Sequence, residues 1–315
     1  MTEEIATLEP AASDPGSSVL EPLRRRLVRR IEKLGGRHDE RAIYGGQPGD
    51  LGLTGGPGSM SWELNGDLAS LGISGVGAVL MEVLHPSVMA GVFTQSSYRT
   101  EPLRRSRNTL GYVVRTTFGN TAAATQVIEN VRRIHGRVHG VRPDGVAYSA
   151  LDPELLAWVH TCIPWAIMTA YDRYARPLST DEKNRYLREQ AVIGRMAGAD
   201  WVPETVADLE AYVETMRPHM QVNDQTRSFI LFLSGRGPEI PTPRLERFDR
   251  FVSLRSSMSL MPEWARELTG TNTPAFVRHS VLHARNHARA RLVRWAYPEL
   301  PCKRLALARA TTHAV

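Results

Sequence analysis

Apolar side chains between Ala122 and Gly140 recur at the helical period of about 3.6 residues. Ala124, Val127, Ile128, Val131, Ile134 and Val138 fall on one face, and His135 falls in the middle of it. Arg132, Arg133 and Arg137 lie to the sides and back, where water would be. The same period predicts helices over most of the chain. Leu20–Leu34 is amphipathic and basic, with Leu23, Leu27, Ile31 and Leu34 as its stripe. Leu64–Leu84 is strongly apolar and suits a buried position. It must end at His85-Pro86, because the residue before a proline is pushed out of the α region. Pro86 then fits the first turn of a helix reaching Gln95.

Arg104–Phe118 follows, with Arg105, Thr109, Val113 and Thr116 on a shared face. Asp152-Pro153-Glu154 is a well-formed helix start, running past Trp158, His160 and Pro164 to about Tyr174. Ser179 to Glu182 opens another helix with capping residues, reaching Met196. Further helices are expected at 204–217, Leu245–Leu260, Pro262–Leu268 and Pro274–Tyr297, with a short apolar run at Phe229–Leu233. Strict apolar–polar alternation is almost absent, so the chain reads as all-α. The Gly/Pro-rich stretches 35–61 and 234–243 read as loops leaving one large helical domain, 19–300, flanked by a disordered tail, 1–18, and a C-terminal tail, 301–315.

Composition narrows the classes. The net charge of +6 comes from arginine, and no dense basic tract carries interleaved aromatics, which argues against nucleic acid. Two cysteines, Cys162 and Cys302, lack CxxC spacing, which argues against a disulfide scaffold, a zinc finger or a thiolate cluster and fits a reducing cytoplasm. The acidic, Pro/Ser-rich N-terminus is not a signal peptide. The most apolar stretch, Ile73–Leu84, is too short and too broken by glycine to span a bilayer, so no integral membrane segment is expected. The basic helix at 20–34 is expected to pack by its leucine edge, with a membrane-surface or partner role as the lesser reading.

Several motifs can be weighed for chemistry. GLTGGPGS lacks the Gly-Lys-Ser/Thr ending and the preceding strand of a phosphate loop. His279, His283 and His287 have a spacing that can bind zinc, but no catalytic Glu accompanies them and arginines surround them. A basic solvent-facing helix explains them better. Glu82 is a carboxylate in an apolar helix, three residues before His85 at a helix junction. Buried, Glu82 would have a raised pKa and could carry a proton; the plainer reading is an ion pair. His85 is either a cap or a pocket residue. His135 must find a partner if buried: a hydrogen-bonding neighbour, or a metal, for which haem iron fits best. His160 is a second pocket candidate or a buried helix contact.

The ordered set HP, P-x-x-R-x-x-x-T, FG, IHxxVxG and DPELLxWVH is carried by LMEVLHPSVMAGVFTQSSYRTEPLRRSRNTLGYVVRTTFG (Leu80–Gly119), VRRIHGRVHG and LDPELLAWVH. It resembles the ER-bound oxygenase/rubber oxygenase catalytic-domain family. The likeness extends over roughly residues 60–270. It implies a globin-like helical core with extra helices, holding haem b (iron protoporphyrin IX). It implies His135 as the proximal iron ligand, and Arg105 and Thr109 as active-site residues. Asn108 stands where latex clearing proteins carry a Lys, and no residue matches their distal Glu, for which Glu82 and His85 are the candidates. The expectation is a haem-dependent oxidoreductase or oxygenase of a small hydrophobic, specialised-metabolite substrate, using O2 or peroxide. Arg105 and His160 would help hold the cofactor. The alternatives are a cofactor-free helical binding or scaffold protein, and a haem protein for electron transfer or sensing. Whether the chain forms a homodimer is open.

Overall fold

The computed structural model describes residues 20–35, 40–237, 242–271 and 273–312. The proposed disordered tail at 1–18 lies outside these residues. Helices α1 (Glu21–Gly35) and α2 (Glu40–Tyr44) are followed by α3 (Met60–Leu64), α4 (Leu68–Glu82), α5 (Pro86–Gln95), α6 (Pro102–Phe118) and α7 (Thr121–His135). A short antiparallel ribbon comes next, with β1 (His139–Val141) pairing β2 (Ala147–Ser149) so that Gly140 faces Tyr148. Then come α8 (Pro153–Tyr174), α9 (Thr180–Ala197), α10 (Val206–Met216), α11 (Asp224–Leu233), α12 (Arg244–Met258) and α13 (Glu263–Leu268). A π-helical turn, Val277–Leu282, leads into α14 (His283–Ala296), and α15 (Pro301–Thr311) closes the described chain. The protein is an all-α single domain apart from the ribbon.

Local caps set most boundaries. Asn120 accepts from the Ala123 amide at 2.8 Å to start α7, and Asp152 accepts from the Glu154 amide at 2.9 Å to start α8. Ser179 and Glu182 form a reciprocal capping box at α9.

Helix α8 is the spine, packed most extensively on α4. Trp158 of α8 is fully buried, and its indole N–H donates to the Glu82 carbonyl at 3.2 Å. That bond ties the end of α4 to the middle of the spine. Leu80, Met81 and Leu84 pack there with Cys162, Met258 and Met261.

Several expectations change. Helix α7 stops at His135, and Ile134 is 62 % exposed, so the inward stripe runs Ala124, Ile128, Val131, His135 without it. Val127, seven residues before Ile134 on the same line, still packs beside Ile128 and Ile193, so Ile134 is exposed because the last turn of α7 extends past that cluster. Parts of 35–61, read as loop, form α2 and α3. The short run at 229–233 is the end of α11, which begins at an Asn223 cap.

The segment from 301 is no tail: Cys302 and Ala306 pack against Tyr44, Trp62 and Phe118. Arg309, 4 % exposed, donates to the carbonyls of Asp50 at 2.8 Å, Tyr44 at 2.8 Å and Phe118 at 3.1 Å. An arginine that satisfies three carbonyls can be buried despite its charge, and this one fastens the C-terminal helix to α2 and the end of α6. No single helix among the described residues is long and apolar enough to cross a membrane; α4 and α5 would pass together but are bent by 110° at their junction.

Candidate functional site

Arg105, half-buried on α6, stands at the centre of the titratable groups. Its Nη1 donates a short hydrogen bond to Thr109 Oγ1, and Thr109 back-bonds to the Arg105 carbonyl at 3.2 Å. The pair sits four residues apart, where helix neighbours meet. Thr109 is exposed whereas Val113 and Thr116 are buried, so the shared face enters the core only in its second half.

The Arg105 charge reaches two other elements. Glu82 is the last residue of α4, 9 % exposed, and its carboxyl has no hydrogen-bond partner among the described residues. Loss of hydration pushes its pKa up to about 7, against the opposing pull of Arg105. On α7, burial first and the Arg105 cation second hold His135 below the usual histidine range. Its Nδ1 is buried with no hydrogen-bond partner. The ring is therefore a neutral imidazole with an unsatisfied nitrogen, which folding does not tolerate cheaply.

His160, on α8, lies within electrostatic reach of His135. Burial, with His135 adding, pushes its pKa down to about 4, so it too is neutral at pH 7. A Cβ at Gly194 would come within 3.0 Å of Val202 and 3.3 Å of the His160 Cβ, so that glycine lets α9 close over the ring. Tyr112 of α6 meets the His160 ring edge-on, centroids 6.1 Å apart, and its buried hydroxyl has no partner. Sequence pattern does not single out Tyr112, although it lies seven residues beyond Arg105, on the same face. Nor does it single out Cys162, whose thiol is pushed well up by burial and by the nearby Glu82 carboxylate.

The structure thus gathers Glu82, Arg105, Thr109, His135 and His160 from α4, α6, α7 and α8. It does not bring His85 to them. His85 caps α5, its Nδ1 accepting from the Ser87 amide at 3.3 Å. Its electrostatic neighbours are Arg142, His219 and Asp152, and burial pushes its pKa down to about 4. Glu82 and His85 would share a helix face only if the helix continued. Helix α4 ends at Glu82, and the 110° bend sends the two side chains into different surroundings.

Two of the three C-terminal histidines, His283 and His287, have a structural role. The rings of His283 and His287, 4.5 Å apart, both pack on Tyr174, whose hydroxyl accepts from Asn286 Nδ2 at 3.0 Å. His283 and His287 are half-buried, not solvent-facing as the sequence suggested, whereas His279 is exposed as expected. Among the described residues no cluster of three or more His, Cys, Asp or Glu could hold a metal ion by itself.

A single-histidine cofactor needs no such cluster, and the donor set here can be tested against a haem. His135 Nδ1 is a buried ring nitrogen without a protein partner, and burial and the Arg105 cation both favour the neutral ring. A second neutral imidazole and a cation lie alongside. Residue chemistry therefore fits an iron porphyrin. The fit rests on these donors and not on an open cavity. Two surface hollows, about 180 Å³ beside Arg142 and Asn223 and about 320 Å³ along α1, do not reach His135.

An all-α body that draws two neutral histidines, a carboxylic acid and an arginine together from four helices has the make-up of an enzyme core. Residues 62–295 match the catalytic domain of the family described as ER-bound oxygenase mpaB/B'/Rubber oxygenase. That is well over half the chain, which belongs to this family of oxygenases. No curated protein and no solved structure matches it.

Proposed function

We propose that this chain is a haem b-dependent oxygenase of a small hydrophobic substrate, with His135 as the single proximal ligand of the iron. The observation that carries this is the buried, unpartnered Nδ1 of His135 on the inner face of α7. A haem supplies the one-electron and O2 chemistry that no amino-acid side chain provides.

The chain's own residues supply the rest. His135 is neutral at pH 7 and can offer a lone pair without first losing a proton. Arg105, fixed in direction by Thr109, presents a cation to the carboxylates that a haem carries. His160 and Tyr112 form a second wall, with a hydroxyl and an imidazole free to accept or donate. Glu82, with a pKa near 7, holds or releases a proton at a carboxyl oxygen close to neutral pH. Leu103, Ile134 and Leu151 lie on or next to the helices that carry these residues. They remain exposed at 58 %, 62 % and 41 %, offering apolar surface to a hydrophobic substrate. Cys162 and Cys302 are buried free thiols, in keeping with a reducing compartment.

Titrating the purified protein with hemin tests the proposal. It expects a Soret band saturating at one hemin per chain, and O2 uptake stimulated by hydrophobic candidate compounds. A protein that leaves hemin unbound overturns it.

A further inference from the structure

Away from the candidate haem site, one surface combines exposed apolar and basic side chains. Along the π-turn and α14, Val281, Ala284, Ala288, Leu292 and Trp295 are all exposed and recur by three and four residues, which puts them on one outward stripe. Phe276, at the start of this helix, is 74 % exposed. Helix α12 adjoins the π-turn, and its Leu245 and Phe248 are 82 % and 66 % exposed. On the other side α14 touches α1, where Leu20 and Leu23 are also exposed. Exposed apolar side chains grouped on one face and rimmed by charge are the make-up of an interaction surface.

The charge identifies the occupant. Residues 274–297 contain five arginines and no acidic residue, and α1 contains six basic residues against two acidic ones. Together these segments carry more than the whole chain's surplus of +6, so the remainder of the protein is net acidic. Arg285 and Arg294 turn inward to Asp249 and Asp67. Arg26, Arg29 and Arg291 remain exposed around the apolar side chains. A second copy meeting this face across a two-fold axis would set arginine against arginine. Nucleic acid would leave the leucine and valine positions without a partner. An anionic bilayer surface satisfies both: Trp, Phe and Leu enter the headgroup boundary while arginine side chains reach the phosphates.

We propose that the α12–α14–α1 face docks the protein peripherally on anionic membranes, without crossing them. The test is co-sedimentation of the full chain with vesicles of phosphatidylcholine alone or with a minority of phosphatidylglycerol. The expected result is binding only with phosphatidylglycerol, weakening as salt is raised. Each basic side chain near such a surface contributes about fivefold in affinity, so R26Q/R291Q binds about 25-fold more weakly. The variant W295A/F276A should also lose binding while keeping the wild-type circular dichroism spectrum and melting temperature. Equal binding to both vesicle types, or wild-type binding by R26Q/R291Q, overturns the proposal. It is equally overturned if the chain ignores vesicles and instead binds an oligonucleotide, or forms a dimer that W295E dissociates.

Discussion

Glu82→Gln should stabilise the protein in a pH-dependent way. The folded-state pKa near 7 lies about 2.5 above the ordinary glutamate value of 4.5. At 1.36 kcal/mol per pH unit, this amounts to roughly 3 kcal/mol. Below about pH 4.5 the carboxyl is protonated in both folded and unfolded chains and adds no pH-dependent cost. Between about 4.5 and 7 the unfolded chain releases the proton and the folded chain keeps it, so stability falls with rising pH. Above 7 the loss levels off. Glutamine cannot ionise and escapes it. Urea unfolding of both proteins without hemin, from acid to mildly alkaline pH, should show a stability difference that grows by about 3 kcal/mol in favour of the variant. Arg105→Gln removes the opposing cation and should move the Glu82 midpoint higher. A stability difference between the wild-type and E82Q proteins that does not change with pH would refute the assignment of a hydrophobically buried acid.

Three further outcomes are expected. Arg309→Met leaves two buried carbonyls and one half-buried carbonyl without their donor and should cost on the order of 4 kcal/mol, seen as a lower melting temperature; an unchanged melt would mean that α15 is not fastened as described. Tyr112→Phe removes a buried hydroxyl without a partner, so unfolding free energy should hold or rise by up to about 1 kcal/mol in the hemin-free protein; a clear loss would reveal a bond to that hydroxyl. His85→Ala should cost about 1 kcal/mol as a lost helix cap and leave hemin affinity unchanged, whereas weakened hemin binding would return His85 to the site.

What could be read from sequence was local. Asp152-Pro153 and Ser179 to Glu182 announce their helices through side chains that bond amides two or three residues away, and both starts are found in place. The Arg105–Thr109 contact follows from four-residue spacing. The inward face of His135 follows from Ile128 and Val131. Features that depend on distant partners were not legible. Helix α15 looked like a tail because Arg309 reads as polar until Tyr44, Asp50 and Phe118 supply carbonyls from far along the chain. The β1–β2 ribbon pairs three residues per strand, too few for alternation to register. Cys162 is two residues from His160 and so points elsewhere on α8, and only the α4–α8 packing brings it near Glu82. The parting of His85 from Glu82 required the bend between α4 and α5. The exposure of Ile134 required knowing where the hairpin leaves α7.

Replacing His135 with alanine tests the central claim most directly, with hemin titrated into the variant in the absence and presence of free imidazole. If His135 holds the iron, the variant loses the axial nitrogen signature in the absorption and electron paramagnetic resonance spectra, and imidazole entering the vacated space restores it. A variant that binds hemin with the wild-type spectrum and no response to imidazole would contradict the assignment.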